Sequence, residues 1–88
     1  MDEKLSEAEL RRRLDEAALV VRVGGQYRHY KGNLYEVEAL AIIEATNEPA
    51  VMYRALYGKG LVFIRPVSDW LMIIKWQGET VPRFTLVN

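Results

Sequence analysis

Two tyrosines, two cations and the single histidine of the chain fall within five residues, Tyr27-Arg28-His29-Tyr30-Lys31. Tyr53-Arg54-Ala55-Leu56-Tyr57 has the same character, and Arg65-Pro66 adds a third guanidinium. Aromatic rings offer flat faces for stacking, and guanidinium forks take phosphate or carboxylate oxygens in pairs. These residue types suit an anionic ligand, either single-stranded nucleic acid or a phosphorylated small molecule. The candidate binding residues are therefore Arg28, His29, Tyr30, Lys31, Tyr53, Arg54, Tyr57 and Arg65. Each also has an ordinary structural reading. Tyrosine is a good strand former, and Arg54 or Arg65 can bridge to Glu36, Glu38 or Glu48.

Enzyme readings find little support. A nucleophilic site needs a nucleophile, a base and an orienting group. With no cysteine and only Ser6 and Ser68 available, the chain offers Ser68, His29 and a carboxylate at most. His29 with a carboxylate acting on a small substrate is the weakest of three functional readings. No metal site is expected, because paired histidines and cysteines are both missing. Gly24-Gly25 lacks the spacing of a phosphate-cradling loop, so no cofactor is expected either.

The elements that must position these residues follow from period and punctuation. Ser6-Glu7-Ala8-Glu9 reads as a capping box, in which Ser6 accepts from the Glu9 amide and Glu9 reaches back. Leu10, Leu14, Ala17, Ala18 and Val21 recur at helical spacing behind it. From Gln26 the signal is β. Turns are expected at Lys31-Gly32-Asn33, Thr46-Asn47-Glu48-Pro49, Gly58-Lys59-Gly60 and Gln77-Gly78-Glu79. Between them lie Tyr27–Tyr30, Leu34–Glu44, Val51–Tyr57, Leu61–Arg65, Leu71–Trp76 and Val81–Val87, with one helical turn at Val67-Ser68-Asp69-Trp70. Alternation along Leu34–Glu44 puts Tyr35, Val37, Ala39, Ala41 and Ile43 on one face. Likewise Arg28 and Tyr30 share a face, Tyr27 and His29 the opposite one, and Arg54 faces away from Tyr53 and Tyr57.

The expected fold is α+β: an N-terminal helix packed on a strongly curled antiparallel sheet of five or six strands, with a small SH3-like barrel as one form. Residues 1–22 form a helical extension and residues 23–88 one β-rich domain, the whole being one folding unit. Eighty-eight residues leave no room for a second core. Acidic and basic side chains balance at twelve each, although residues 1–20 carry six acids against four bases. That is far from the basic excess of a duplex-binding protein. No apolar run is long enough to span a bilayer and the N-terminus does not read as a signal peptide, so no membrane partner and a cytoplasmic setting are expected.

Trp70-Leu71-Met72-Ile73-Ile74-Lys75-Trp76 is apolar on both faces, whereas a strand with one wet face should alternate. The helix could cover the second face with Leu10, Leu14 and Ala17. A second copy of the chain could also cover it, making Trp70, Met72, Ile74 and Trp76 interface residues of a homodimer. This gives the alternative functional reading, a self-associating structural protein using that strand and the helix.

Four segments in order resemble a small bacterial family, the domain of unknown function numbered sixteen fifty-three. They are Tyr27-Arg28-His29-Tyr30-Lys31-Gly32-Asn33 with Tyr35-Glu36-Val37, Tyr53-Arg54-Ala55-Leu56-Tyr57-Gly58, Arg65-Pro66, and Val81-Pro82-Arg83-Phe84. The resemblance runs from about Val23 to Val87 and leaves the helix outside. It implies a compact β-rich domain in which the Tyr, Arg and His positions share a surface, and it implies no activity. Two departures stand out. Ile43-Glu44-Ala45-Thr46 replaces the family's His-Ser-Glu-Thr, and Met72-Ile73-Ile74-Lys75 replaces an acidic stretch. The leading reading is a non-catalytic binding module with an aromatic–cationic face.

Overall fold

The computed structural model describes residues 5–88. Helix α1 (Glu7–Ala18) starts where the sequence places it, with Ser6 Oγ accepting from the Glu9 amide at 3.2 Å. The reciprocal half of the capping box is not made. The Glu9 carboxylate instead takes Arg12 Nε at 3.0 Å and Arg13 Nε at 3.2 Å, and these two guanidinium groups hold its pKa down to about 2. Arg13 Nη1 also donates to the Asn47 carbonyl at 3.1 Å, tying the helix to a sheet turn.

Seven strands follow: β1 (Gln26–His29), β2 (Leu34–Ile43), β3 (Glu48–Ala55), β4 (Val62–Pro66), β5 (Ile73–Trp76), β6 (Glu79–Pro82) and β7 (Phe84–Leu86). A single helical turn, α2 (Val67–Trp70), joins β4 to β5. The pairings are antiparallel and make two sheets, β4-β3-β2-β1-β7 and the hairpin β5-β6. This is the expected α+β class. Strands β4 and β7 are the edges of the larger sheet, which is open, so the strong curl and SH3-like closure expected from strand spacing do not follow from its pairings.

Simple alternation fails along β2. Val37 pairs with Tyr53 and Ala39 with Met52, so Glu38 is an extra residue in a β-bulge. Tyr35 and Val37 face the core before the bulge, and Leu40 packs on the core after it. The face expected for Tyr35, Val37, Ala39, Ala41 and Ile43 therefore switches at Glu38.

The core is mainly aromatic and β-branched: Val21, Tyr27, Val37, Val51, Tyr53, Val67, Trp70 and Phe84, closed by Ala17 of α1. Helix α1 packs against β2 and β3. The expected Trp70–Trp76 strand is shorter than its apolar run. Trp70 ends α2 and is buried at 2% exposure, while β5 begins at Ile73. Trp70 is thus a core residue, not one available to a second copy. Leu71, Met72 and Ile73 are exposed. Among the described residues, no helix is long and apolar enough to cross a membrane.

Candidate functional site

The site is built around β1. Because side chains alternate along a strand, Tyr27 and His29 face the core and Arg28 faces away. Tyr27 is buried, its hydroxyl accepts from the Arg22 amide at 2.9 Å, and its ring meets Trp70 edge-on at 5.2 Å. His29, at the end of the strand, sits half out of the core. Its ring lies 4.4 Å from that of Tyr30 and 5.1 Å from that of Phe84. The turn after it is closed by the His29 amide donating to Asn33 O at 2.8 Å, with Gly32 at φ 115°. Only glycine adopts that angle without strain.

The same turn fixes the imidazole. Nδ1 accepts from the Lys31 amide at 3.1 Å, which leaves the proton of the neutral ring on Nε2. Burial lowers the His29 pKa from the ordinary value, and the charges of Arg65, Arg83 and Lys31 lower it further. The ring is therefore a neutral donor at pH 7.

Behind His29, Phe84 stacks on Trp70 with centroids 3.7 Å apart and planes 7° from parallel. Arg65 reaches over Phe84 at 5.6 Å, donates from Nε to the Tyr53 hydroxyl at 3.2 Å, and pairs through Nη1 with Asp69. Arg83 approaches the same carboxylate at 3.6 Å and donates from Nε to the Asp69 carbonyl at 3.0 Å. One carboxylate thus serves two arginines, and with Lys31 nearby the local charge is positive.

In front of His29 is a cleft of about 270 Å³ lined by Arg28, His29, Tyr30, Trp76, Val81, Pro82 and Thr85. Its floor is the β1–β7 ladder, where Arg28 pairs with Thr85. Its wall is the β5–β6 hairpin. That hairpin turns at Gln77-Gly78, both at positive φ (50° and 81°), the conformation that matches the twist of two flanking strands. The turn sets Trp76 beside Tyr30, ring centroids 5.1 Å apart. Lys31 Nζ lies 5.9 Å from the Tyr30 ring. The result is three contiguous rings with cations at their margin.

The structure thus brings Arg28, His29, Tyr30 and Lys31 together and adds Trp76, which the sequence suggested only as an interface residue. Arg65 acts on His29 from behind Phe84. Of the eight expected binding residues, Arg28, His29 and Tyr30 line the cleft, Lys31 stands at its margin, and Tyr53, Tyr57 and Arg54, like Arg65, lie outside it. Tyr53 is buried in the core beneath Arg65. Tyr57 shares a hydroxyl hydrogen bond of 2.8 Å with Tyr35, whose pKa is raised to about 12, first by burial and then by that bond. Arg54 shares the outer face with Arg28 but stands on β3, two strands from β1. It forks onto Glu38 at 2.7 and 3.1 Å and donates to Gly60 O at 2.7 Å.

Asp69, Val81, Pro82, Arg83 and Thr85 carry no site signal in the residue types and spacing that mark the expected binding residues. Arg83 beside Phe84 in a short terminal strand was the available signal, but its relation to His29 exists only through the β1–β7 pairing. Among the described residues, no three His, Asp or Glu side chains come together to hold a metal ion.

The fold and cleft define a small α+β domain with an open sheet, a hairpin wall and an aromatic–cationic recess. The model of a family described as protein of unknown function, DUF1653, matches residues 25–86, and the chain belongs to that family. The crystal structure of a DUF1653 protein from Bordetella bronchiseptica is 35% identical and superimposes with a TM-score of 0.71. It covers 78% of this chain and 90% of that one. A search of curated proteins finds no match. Helix α1 lies outside the matched residues.

Proposed function

We propose that the domain is a non-catalytic binding module whose cleft takes a nucleotide unit, either free or as part of single-stranded nucleic acid. The observation that carries this reading is the convergence of the His29, Tyr30 and Trp76 rings with Arg28 and Lys31 around one recess. Rings stack on a base whatever its identity, and the cations and the His29 Nε2–H meet phosphate oxygens. Size narrows the ligand. A recess of about 270 Å³ lies below the range of roughly 300–1,000 Å³ typical of drug-sized ligands, so it suits one base with its substituent. We read α1 as an extension that completes the core over β2 and β3 and takes no part in the cleft.

The test is an amide NMR titration with adenosine monophosphate and with short single-stranded RNA and DNA, at low and physiological salt. Shifts confined to Arg28–Lys31, Trp76, Val81 and Thr85 support the reading. Equal affinity for mononucleotide and strand indicates a free nucleotide, whereas tighter, salt-sensitive strand binding indicates nucleic acid. Stacking on one ring is worth roughly 1–3 kcal/mol, so Trp76→Ala should weaken binding by about fivefold to a hundredfold without loss of fold. No shift with any of these probes at low salt overturns the proposal.

A further inference from the structure

Strand β4 is an edge without the usual protection. Edges are commonly blunted by lysine, proline, a bulge or brevity. The other edge, β7, has only three residues. By contrast, Leu61, Val62, Phe63 and Ile64 run consecutively with exposures of 63, 41, 40 and 59%, and Pro66 comes only at the end of the strand.

The ladder fixes which backbone groups on this edge are unpaired by β3. The Ala55 amide donates to Leu61 O at 2.9 Å, and the register runs Arg54↔Val62, Tyr53↔Phe63, Met52↔Ile64 and Val51↔Arg65. In an antiparallel pair, hydrogen-bonded and non-hydrogen-bonded positions alternate. Leu61, Phe63 and Arg65 therefore bond inward to β3. The N–H and C=O of Val62 and Ile64 point outward.

We propose that two copies of the chain pair through β4 about a two-fold axis at Phe63. This pairing sets Val62 opposite Ile64 of the second copy, and Ile64 opposite its Val62. Both are hydrogen-bonded positions, and Phe63 meets its counterpart at a non-hydrogen-bonded position, where side chains come closest. The outward groups of residues 62 and 64 are thus satisfied reciprocally. Val62 and Ile64 extend one apolar strip on the outer face. On the core-side face Phe63, 5.9 Å from the Tyr53 ring, meets a second Phe63. Arg65 falls opposite Leu61, so like charges do not face each other across the seam. This self-complementary edge, with hydrogen-bonding parity and apolar exposure at the same residues, favours a second copy over an unrelated strand. Five residues a side make a seam well below the roughly 1,600 Å² of a standard interface, so the dimer forms at high concentration only.

The test combines sedimentation with amide hydrogen exchange on the full chain, from low micromolar to about 1 mM. The expected result is a reversible monomer–dimer equilibrium in which the Val62 and Ile64 amides become protected as concentration rises. Ile64→Pro removes one outward donor and no inward one, and Ile64→Lys charges the strip. Both should be monomeric with unchanged circular dichroism. A wild-type chain that stays monomeric at about 1 mM overturns the proposal. So does a dimer that survives both substitutions, as one formed through Met72, Ile73 and Trp76 would. So does protection at Val62 and Ile64 gained from an added peptide while the chain alone stays monomeric.

Discussion

Phe84→Ala should bring this domain close to unfolding. Phe84 is buried at 7% exposure and joins three parts of the molecule. Its ring stacks on Trp70 at 3.7 Å, meets Tyr53 at 5.6 Å and His29 at 5.1 Å, and carries the Arg65 guanidinium at 5.6 Å. Truncating a buried phenylalanine to alanine costs about 3–5 kcal/mol, through lost transfer free energy and the cavity left behind. A domain of this length has a total stability of roughly 4–13 kcal/mol, so the loss is a large fraction of it. With a urea slope near ~1 kcal/mol/M, typical of small chains, the midpoint should fall by about 3–5 M. Tryptophan fluorescence is the natural assay, because Trp70 is buried at 2% while Trp76 is 36% exposed, so the red shift on unfolding comes mainly from Trp70. Phe84→Leu, which keeps most of the volume, should cost clearly less. A double-mutant cycle of Phe84→Leu with Trp70→Leu should show a coupling of roughly 0.5–1.5 kcal/mol for the stacked pair. A midpoint shift under about 0.5 M for Phe84→Ala would refute Phe84 as the keystone of the core.

Three further outcomes follow. Because the folded-state pKa of His29 lies below its ordinary value of 6.5, the unfolded chain binds the proton first on acidification. The stability His29 contributes is therefore full above pH 6.5 and falls as pH drops from there toward the folded pKa; urea midpoints should show that slope, reduced in His29→Gln. Arg54→Ala should leave nucleotide affinity unchanged and move the urea midpoint little, since its ion pair is solvent-exposed and it stands two strands away from the cleft; an affinity loss matching that of Trp76→Ala would refute the assignment of the cleft. Deleting Glu38 should be mild, because Val37, Ala39 and Leu40 then alternate strictly and keep their partners Tyr53, Met52 and Val51, leaving only the exposed Arg54 fork to be lost; loss of the cooperative urea transition would contradict this.

Local chemistry was legible in the sequence, and long-range geometry was not. Ser6 marks the start of α1, and the glycine-bearing turns at residues 31–33, 58–60 and 77–78 separate strands as their φ values require. Alternation correctly divides Tyr27 and His29 from Arg28, and Tyr53 from Arg54. What composition cannot express is a change of phase. Glu38 has nothing in its own neighbourhood that announces a bulge; it emerges because Arg54, sixteen residues away, takes its carboxylate while Val37 and Leu40 both turn inward. The apolar run from Trp70 to Trp76 reads as one strand because its residues are of one kind. The structure divides it between a buried helical turn and an exposed hairpin, a division set by Pro66 and by the ring of Phe84 waiting in the core. The cleft shows the same limit. Arg28, His29 and Tyr30 were visible as a cluster, but Trp76 reaches them only through a hairpin fold.

The pairing of β7 with β1 also governs the order of assembly. Strand β1 has its partner β2 as soon as the Lys31–Asn33 turn closes, yet its other flank and the ring beneath His29 come from Phe84–Leu86. A ribosome delivers residues from the N-terminus onward, so the β1–β2–β3–β4 meander can form while Trp70 still lacks its stacking partner. Without Phe84–Leu86 in place, such a meander would leave an indole face and the open flank of β1 uncovered. The final strand thus acts as a latch, and the interval before it closes is when a chaperone or a protease has its opening.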